Sequence, residues 1–311
     1  MNKQIPIFFT TDDAYVPMLM VALNSIKKYS NINNYYNINV VYSKLSESSK
    51  QKLMKFNDNN FKIKFVDIST KLSRDIKFHV RDYYSITTYF RLFLPNMFKE
   101  IDKALYLDCD IVVKTDIANL FNIDIRDNLV GAVPDEAINK VYEFLKYAND
   151  YLGINAQDYF NAGILIMNFK ALREFNFEEK FISLLNQIKF TVAQDQDYLN
   201  VICKDRVKYL DLSWNKMPLD KSLNDNELKL IHYNLNYKPW RYKGINYEEY
   251  FWQNAKEYGL NIELEEMRDN FTIEMQKNDE IQENRLKQMA LEQSNEKDTF
   301  LNLLNCGKIK F

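Results

Sequence analysis

The sequence predicts an α/β protein: a mixed, mostly parallel sheet flanked by helices, followed by a helical extension at the C-terminal end. Three observations carry this. Short apolar runs alternate with segments of helical periodicity, acidic residues stand where those runs stop, and the stretch from Asn261 to Lys297 is charged and free of Gly and Pro. Strands that alternate with helices imply βαβ units and parallel pairing.

The elements follow in order. Ile5 to Thr10 (IPIFFT) is a short apolar run ending at Thr11, Asp12 and Asp13, and Tyr15 to Tyr29 has apolar residues at helical spacing. Asn39 to Tyr42 reads as a second strand, Ser46 to Phe56 as a helix capped by Ser46, and the alternating Phe61 to Val66 as a third strand. A helical segment near Thr87 to Phe93 precedes the strand Ala104 to Leu107, which stops at Asp108, Cys109 and Asp110. Beyond it come a strand at Val130 to Val133, a helix near Ile138 to Tyr147 and an apolar run from Phe160 to Met167. Helices over Lys170 to Gln187 and Asp195 to Cys203 follow. In the final stretch Leu264, Met267, Phe271, Ile281 and Leu286 are scattered apolar positions that fit one long amphipathic helix or a helix pair.

Composition excludes several classes of function. The 311 residues make one large domain, or one domain with an extension, and 46% hydrophobic content with 21 Phe and 21 Tyr excludes wholesale disorder. A net charge of -2 is poor electrostatics for gripping a phosphate backbone, which argues against nucleic acid as the main partner. The apolar run from Val16 to Leu23 includes Pro17 and is far short of the roughly 18 residues of a membrane span. The N-terminal MNKQIPIFFTTDD has no signal-peptide pattern, so a cytoplasmic location is expected. Cys109, Cys203 and Cys306 form no CxxC pair and are expected as reduced thiols. The acidic excess after Asn261 argues against adsorption to anionic lipid; Lys308 and Lys310 beside Ile309 and Phe311 offer only a weak peripheral contact.

In an open α/β sheet, ligands bind beyond the carboxyl ends of the strands, so the Asp12/Asp13 loop and the Asp108/Asp110 loop are expected to share a cleft. Two carboxylates one residue apart at a strand end suit a hard divalent ion, Mg²⁺ or Mn²⁺. The triplet alone is weak, because a second one, Asp195 to Asp197, opens a helical pattern where acidic residues complement the helix dipole. His232 follows a strand-like run; it reads either as a buried histidine satisfied by a carbonyl or as the nitrogen donor completing a two-carboxylate site. Lys238 reads as a phosphate partner or as a solvated loop lysine. Taken singly, Arg91, Asn161 and Asp135 read as a surface salt-bridge partner, a turn former and a solvated loop acid.

Six segments together resemble glycosyltransferase family 8, the retaining enzymes that include bacterial lipooligosaccharide galactosyltransferases and glycogenin. They are FTTDDAY (9–15), SITTYFRLFLP (85–95), KALYLDCDIVV (103–113), YFNAGILIMN (159–168), AQDQDYLN (193–200) and HYNLNYKPW (232–240), in the family's order. The resemblance implies a Rossmann-like GT-A fold, a UDP-sugar donor (UDP-galactose or UDP-glucose), Mn²⁺ or Mg²⁺, and a glycan, lipooligosaccharide or glycoprotein acceptor. It implies Asp108, Asp110 and His232 as metal ligands. Asp12, Asp13 and Tyr15 match the loop that receives the uridine; Tyr84 and Asp108 join them at the donor, and Lys238 matches the lysine on the diphosphate. Arg91, Asn161 and Asp135 match residues near the donor sugar, and Asp195 and Gln196 the pair facing the anomeric carbon.

Three positions depart from the pattern. Leu235 stands where the family often has glycine, Ala14 where the bacterial galactosyltransferases carry asparagine, and Tyr83 where they carry a histidine near the acceptor. The matching blocks divide the chain into a catalytic domain, 1–260, and a helical extension, 261–311, expected to be dispensable for UDP binding and to serve acceptor recognition or association. The rival readings are a sugar-phosphate nucleotidyltransferase, which usually needs a glycine-rich first loop that FTTDDAY lacks, and an inactive glycan-binding scaffold.

Overall fold

The computed structural model describes residues 3–69 and 86–311. Nine strands form among the described residues: β1 (Lys3–Thr10), β2 (Asn34–Tyr42), β3 (Phe61–Asp67), β4 (Ala104–Leu107), β5 (Ile111–Val113), β6 (Val130–Pro134), β7 (Phe160–Met167), β8 (Val207–Tyr209) and β9 (Leu230–His232). Seven make one sheet in the order β3-β2-β1-β4-β7-β6-β8, while β5 and β9 pair separately as an antiparallel ribbon. Pairing is parallel for β1 with β2 and β4, for β2 with β3 and for β6 with β8; β7 runs antiparallel between β4 and β6. The sheet is thus mixed and mostly parallel, as expected.

Side-chain alternation splits the central strands between two cores. Ile5, Ile7, Phe9, Leu105, Leu107, Ile164 and Ile166 pack on one face with Leu19, Leu23 and Ile26 of the helix Val16–Tyr29. Phe8, Ala104, Tyr106, Leu165 and Met167 pack on the other with Phe181 and Leu184 of the helix Phe177–Gln187 and Tyr198 of the helix Asp195–Cys203. With both faces covered, β7 is buried at every residue, which is why FNAGILIM shows no apolar–polar alternation.

Local chemistry accounts for most boundaries. Pro17 sits in the first turn of Val16–Tyr29, where its missing N–H is not needed. Ser46 caps the helix Glu47–Met54 by accepting from the Ser49 N–H. The helix expected near Ile138–Tyr147 is instead two short helices, Glu136–Lys140 and Tyr142–Lys146, separated by extended Val141. That expected over Lys170–Gln187 breaks at Asn176, whose φ of 53° lies in the left-handed region that Asn tolerates better than most side chains. The segment Ile86–Leu92 is a 3₁₀ helix rather than an α-helix. Strand β2 starts at Asn34, earlier than its apolar run, because it is paired on both sides, and β5 and β8 are three residues long, too short for periodicity to reveal.

The final stretch is a helix pair, Asn261–Asp269 and Ile273–Ser294, followed by the short helix Phe300–Asn305. Leu264 joins the first core, and Leu286, Ala290 and Phe300 join the second, so these helices are docked on the sheet's own cores. Ile281 lies outside this packing and is 62% exposed. No helix among the described residues is long and apolar enough to cross a membrane.

Leu264→Ala is expected to destabilise the whole fold by about 2–5 kcal/mol, as for other buried leucines, while Ile281→Ala stays within about 0.5 kcal/mol. Urea unfolding midpoints of the two variants check this; equal midpoints would show that the first C-terminal helix is not part of the cooperative core.

Candidate functional site

Because β7 opposes its neighbours, its first residues lie beside the carboxyl ends of β1, β4 and β6 at one edge of the sheet. Thr10 to Asp12, Asp108 to Asp110, Asp135 and Asn161 to Gly163 therefore surround one cleft. The start of the helix Asp195–Cys203 adds Asp195 and Gln196, and β9 with its following loop adds His232, Leu235 and Lys238. The shared cleft expected for the two acidic loops is present. The Asp108 N–H donates to the Gly163 carbonyl at 2.8 Å and the Tyr233 N–H to the Asp110 carbonyl at 2.8 Å, so β7 and the strand end of β9 hold the D-x-D backbone from two sides.

Asp108, Asp110 and His232 converge, each offering a ligand atom within 4.8 Å of the others. His232 Nε2 lies 3.3 Å from Asp110 Oδ1 and 3.7 Å from Asp108 Oδ2. The other oxygen of each carboxylate is engaged. Asp108 Oδ1 accepts from Tyr106 Oη at 2.9 Å and faces Arg91 Nη2 at 3.2 Å, while Asp110 Oδ2 pairs with Lys238. Burial opposes the charge on Asp110, yet Lys238 and His232 beside it hold its carboxyl well below the usual range. Two carboxylate oxygens and an imidazole nitrogen facing one point suit a divalent cation. Gly163 gives this cluster its room: a Cβ there would lie 2.4 Å from His232 Cε1 and 2.6 Å from Asp108 Oδ2.

A second cluster adjoins the first. Arg91 is buried, its guanidinium 4.3 Å above the Tyr106 ring, and spans from Asp108 to Asp195, with Nε 3.1 Å from Asp195 Oδ2. Burial pushes the Asp195 carboxyl up to about 6 against the pull of Arg91. Asp135 Oδ1 accepts from the N–H groups of Ala137 and Ile138, and Oδ2 from Asn161 Nδ2 at 3.0 Å and Gln196 Nε2 at 3.2 Å. Gln196 Oε1 accepts from the Ala162 N–H at 2.8 Å, so both ends of its amide are held. Beneath them Asp197, fully buried, accepts from Tyr147, Tyr159 and the Ala193 N–H, and burial pushes its carboxyl up to about 6.

Among the sequence-predicted residues, Asp12, Tyr15, Arg91, Asp108, Asp110, Asp135, Asn161, Asp195, Gln196, His232 and Lys238 all line the cleft. Asp13 does not; its carboxylate accepts from Ser46 and Ser49 at the start of the neighbouring helix, which holds it below the ordinary range. Tyr83 and Tyr84 lie outside the described residues. Leu235 has a φ of 52°, the left-handed conformation that glycine adopts without cost. Sequence reasoning missed Arg241 and Leu286, which line the cleft from outside the matching blocks, and Asn215, which contacts His232. Arg241 could have been found by its place next to KPW; no sequence signal marks the other two. Arg241 is steadied by Asp279 at 3.5 Å and lies 5.2 Å from the Phe271 ring, so the C-terminal helices touch the cleft through Arg241 and Leu286.

The profile of glycosyl transferase family 8 matches residues 6–244. A protein of Haemophilus influenzae is 31% identical over 224 residues, covering 71% of this chain and 66% of the relative. Glycosyltransferase GlyB of Streptococcus pneumoniae is 29% identical over 265 residues, covering 79% of this chain and 60% of its own length. The chain thus spans about two thirds or less of these relatives. Among solved structures, the bifunctional glycosyltransferase WbbM superposes with a TM-score of 0.73 at 26% identity, over 87% of this chain and 52% of WbbM. Galactosyltransferase LgtC, crystallised with donor and acceptor sugar analogues, superposes with a TM-score of 0.64 at 25% identity, over 81% and 96%. With these neighbours the mixed sheet and flanking helices are the GT-A arrangement.

Two outcomes follow from the geometry. Gly163→Ala is expected to weaken divalent-metal binding at least about tenfold, because His232 and Asp108 must move apart; titration with Mn²⁺ at unchanged circular dichroism measures this, and wild-type affinity would refute it. Asp197 holds its proton more tightly folded, at about 6, than at the ordinary 3.8, so its contribution to stability is greatest at low pH and is lost as pH rises through about 6. Unfolding free energies of the wild type relative to Asp197→Asn are therefore expected to fall between pH 4 and pH 7 by about 2 kcal/mol; parallel pH profiles would show the shift to be absent.

Proposed function

Because the chain belongs to glycosyl transferase family 8, we propose that it moves a hexose, galactose or glucose, from a UDP-sugar to a glycan or glycoconjugate acceptor with retention of configuration. The observation that carries this reading is the juxtaposition of the Asp108–Asp110–His232 cluster with the Asp135–Asn161–Gln196 cluster in one cleft. Among the described residues lining that cleft, five carboxylates face three basic side chains, so a diphosphate is repelled until a cation is present. Asp108, Asp110 and His232 would hold Mn²⁺ or Mg²⁺, which would supply positive charge to offset the negative charge growing on the diphosphate.

The chain's own residues supply the rest. Lys238, paired with Asp110, stands beside the metal ligands to neutralise a phosphate oxygen. Tyr15 and Asp12 receive the nucleoside side. Asp135, both of whose oxygens accept from donors, faces the place where positive charge develops on the sugar. Asp195 is turned to Arg91 and positions it. Gln196 is a neutral amide with both ends engaged, which makes it a feeble nucleophile and favours front-face attack. In that mechanism the acceptor hydroxyl enters on the leaving-group side, its oxygen bonds to the anomeric carbon as the C–O bond to UDP breaks, and its proton passes to a diphosphate oxygen. LgtC is a galactosyltransferase, and one of its structures carries a glutamine-to-glutamate change described as an active-site mutant, which supports the placing of Gln196. In this reading residues 1–260 are the catalytic domain and 261–311 an extension that borders the acceptor side through Leu286.

Asp110→Ala is expected to remove the Mn²⁺-dependent part of UDP binding measured by calorimetry; equal UDP affinity with and without metal in the wild type would sink the metal assignment. Gln196→Ala is expected to lower kcat by about a hundredfold at nearly unchanged UDP affinity. A donor panel of UDP-galactose, UDP-glucose and other nucleotide sugars with Mn²⁺ is expected to show hydrolysis of a UDP-hexose. No turnover of any donor would favour the inactive glycan-binding scaffold.

A further inference from the structure

A chain of side-chain amides runs behind the Asp108–Asp110–His232 cluster, and its polarity is settled by one backbone group. The Gly163 N–H lies 2.9 Å from one terminal atom of the Asn161 amide. A backbone N–H can only donate, so that atom is Oδ1, and the Asn161 Nδ2 is the atom donating to Asp135 Oδ2 at 3.0 Å. Asn215 approaches the same Asn161 oxygen at 2.9 Å, which must be through its Nδ2. Its remaining atom, Oδ1, is then the one 3.0 Å from His232 Nδ1. An amide oxygen only accepts, so Nδ1 carries the proton, and Nε2 is the nitrogen left to ligate, already facing Asp108 and Asp110.

Asn215 is also placed with unusual firmness. It is buried, as is its neighbour Lys216, whose ammonium lies 2.8 Å and 3.0 Å from the two oxygens of Glu136, the residue after Asp135. The Lys216 carbonyl accepts from the His232 N–H at 3.0 Å and the Lys216 N–H donates to the Leu230 carbonyl at 3.0 Å. The dipeptide Asn215–Lys216 is thus fastened to Glu136, the residue after Asp135, and twice to β9, which carries His232.

We propose that Asn215 is a positioning residue: it fixes the tautomer and ring orientation of His232 and, through Asn161, joins the metal-binding cluster to Asp135. The proposal rests on reading Asp108, Asp110 and His232 as metal ligands. Removing the acceptor frees the ring to rotate or to change tautomer; such outer partners typically govern metal affinity by about 10- to 100-fold.

The test uses the full chain without nucleotide. Mn²⁺ binding is followed by the electron paramagnetic resonance signal of the free ion, for the wild type, Asn215→Leu, Asn215→Asp and Asp110→Ala. Asn215→Leu, of similar size but unable to accept, is expected to bind about 10- to 100-fold more weakly, and Asn215→Asp, which still accepts from Nδ1, to stay within about threefold of wild type. Asn215→Asp can no longer donate to Asn161 Oδ1, so its kcat at saturating Mn²⁺ is expected to fall although the metal is bound. Independently, imidazole ¹⁵N shifts of the Mg²⁺-loaded wild type are expected to show His232 protonated at Nδ1; the chain has two histidines, so the signal is assignable with a single His79→Gln control. A folded Asn215→Leu with wild-type Mn²⁺ affinity, or an Nε2–H tautomer in the wild type, overturns the proposal, and the second readout needs no Asn215 variant to fold. Undiminished Mn²⁺ binding by Asp110→Ala would instead overturn the metal site itself, and the proposal with it.

Discussion

Like charges brought together in a dry place are the constraint around which this cleft is built. Asp108, Asp110, Asp135 and Asp195 meet at one sheet edge, and the last three are buried. Carboxylates in such a place stay ionised only where cations or hydrogen-bond donors stabilise them. The structure meets that demand in different ways. Arg91 is shared between Asp108 and Asp195, Lys238 is pressed against Asp110, and Asp135 has amide donors on both oxygens. Among the described residues, Asp108 Oδ2 and Asp110 Oδ1 have no such cation and turn instead to His232, where a divalent ion fits.

That arrangement depends on the reversed strand. Were β7 parallel to β4, Asn161 and Gly163 would stand at the opposite edge of the sheet. Reversed, it presents Asn161 to Asp135, leaves the Gly163 carbonyl for the Asp108 N–H, and offers a glycine where any Cβ would collide with two proposed ligands. The same strand supplies the Ala162 carbonyl to Arg91 Nη1 at 2.5 Å and the Ala162 N–H to Gln196. One strand thus touches both clusters, and its complete burial makes it a stiff reference for them.

The C-terminal helices bear on the cleft from outside. Asp279 accepts from Tyr242 at 2.9 Å and steadies Arg241, while Leu286 closes part of the wall. Arg241 stands beside Lys238, to whose carbonyl its N–H donates at 2.9 Å, and is held from the tail by Asp279. The cleft near Arg241 is thus bordered by helices contributed from far along the sequence.

Much of this was legible in the sequence, because periodicity and strand ends are local properties. IPIFFT, FKIKFV and ALYL announced strands, Ser46 announced a helix start, and the carboxylates at 12, 108 and 110 stood where an α/β sheet gathers its ligands. Splits at Val141 and Asn176 were not legible, since a single residue's change of backbone region leaves the apolar period intact. Asp13 shows the limit within a motif: adjacent to Asp12 and of the same chemistry, it is claimed by Ser46 and Ser49 of a neighbouring helix. By itself the sequence determined which residue types could bind a cation and on which strand ends the carboxylates would stand. Only the tertiary structure decided that β7 runs backwards, that Asn215 lies behind His232 and that Arg241 is tied to Asp279. These are contacts between residues 17 to 63 positions apart, set by packing and hydrogen-bond direction, and no local pattern encodes them.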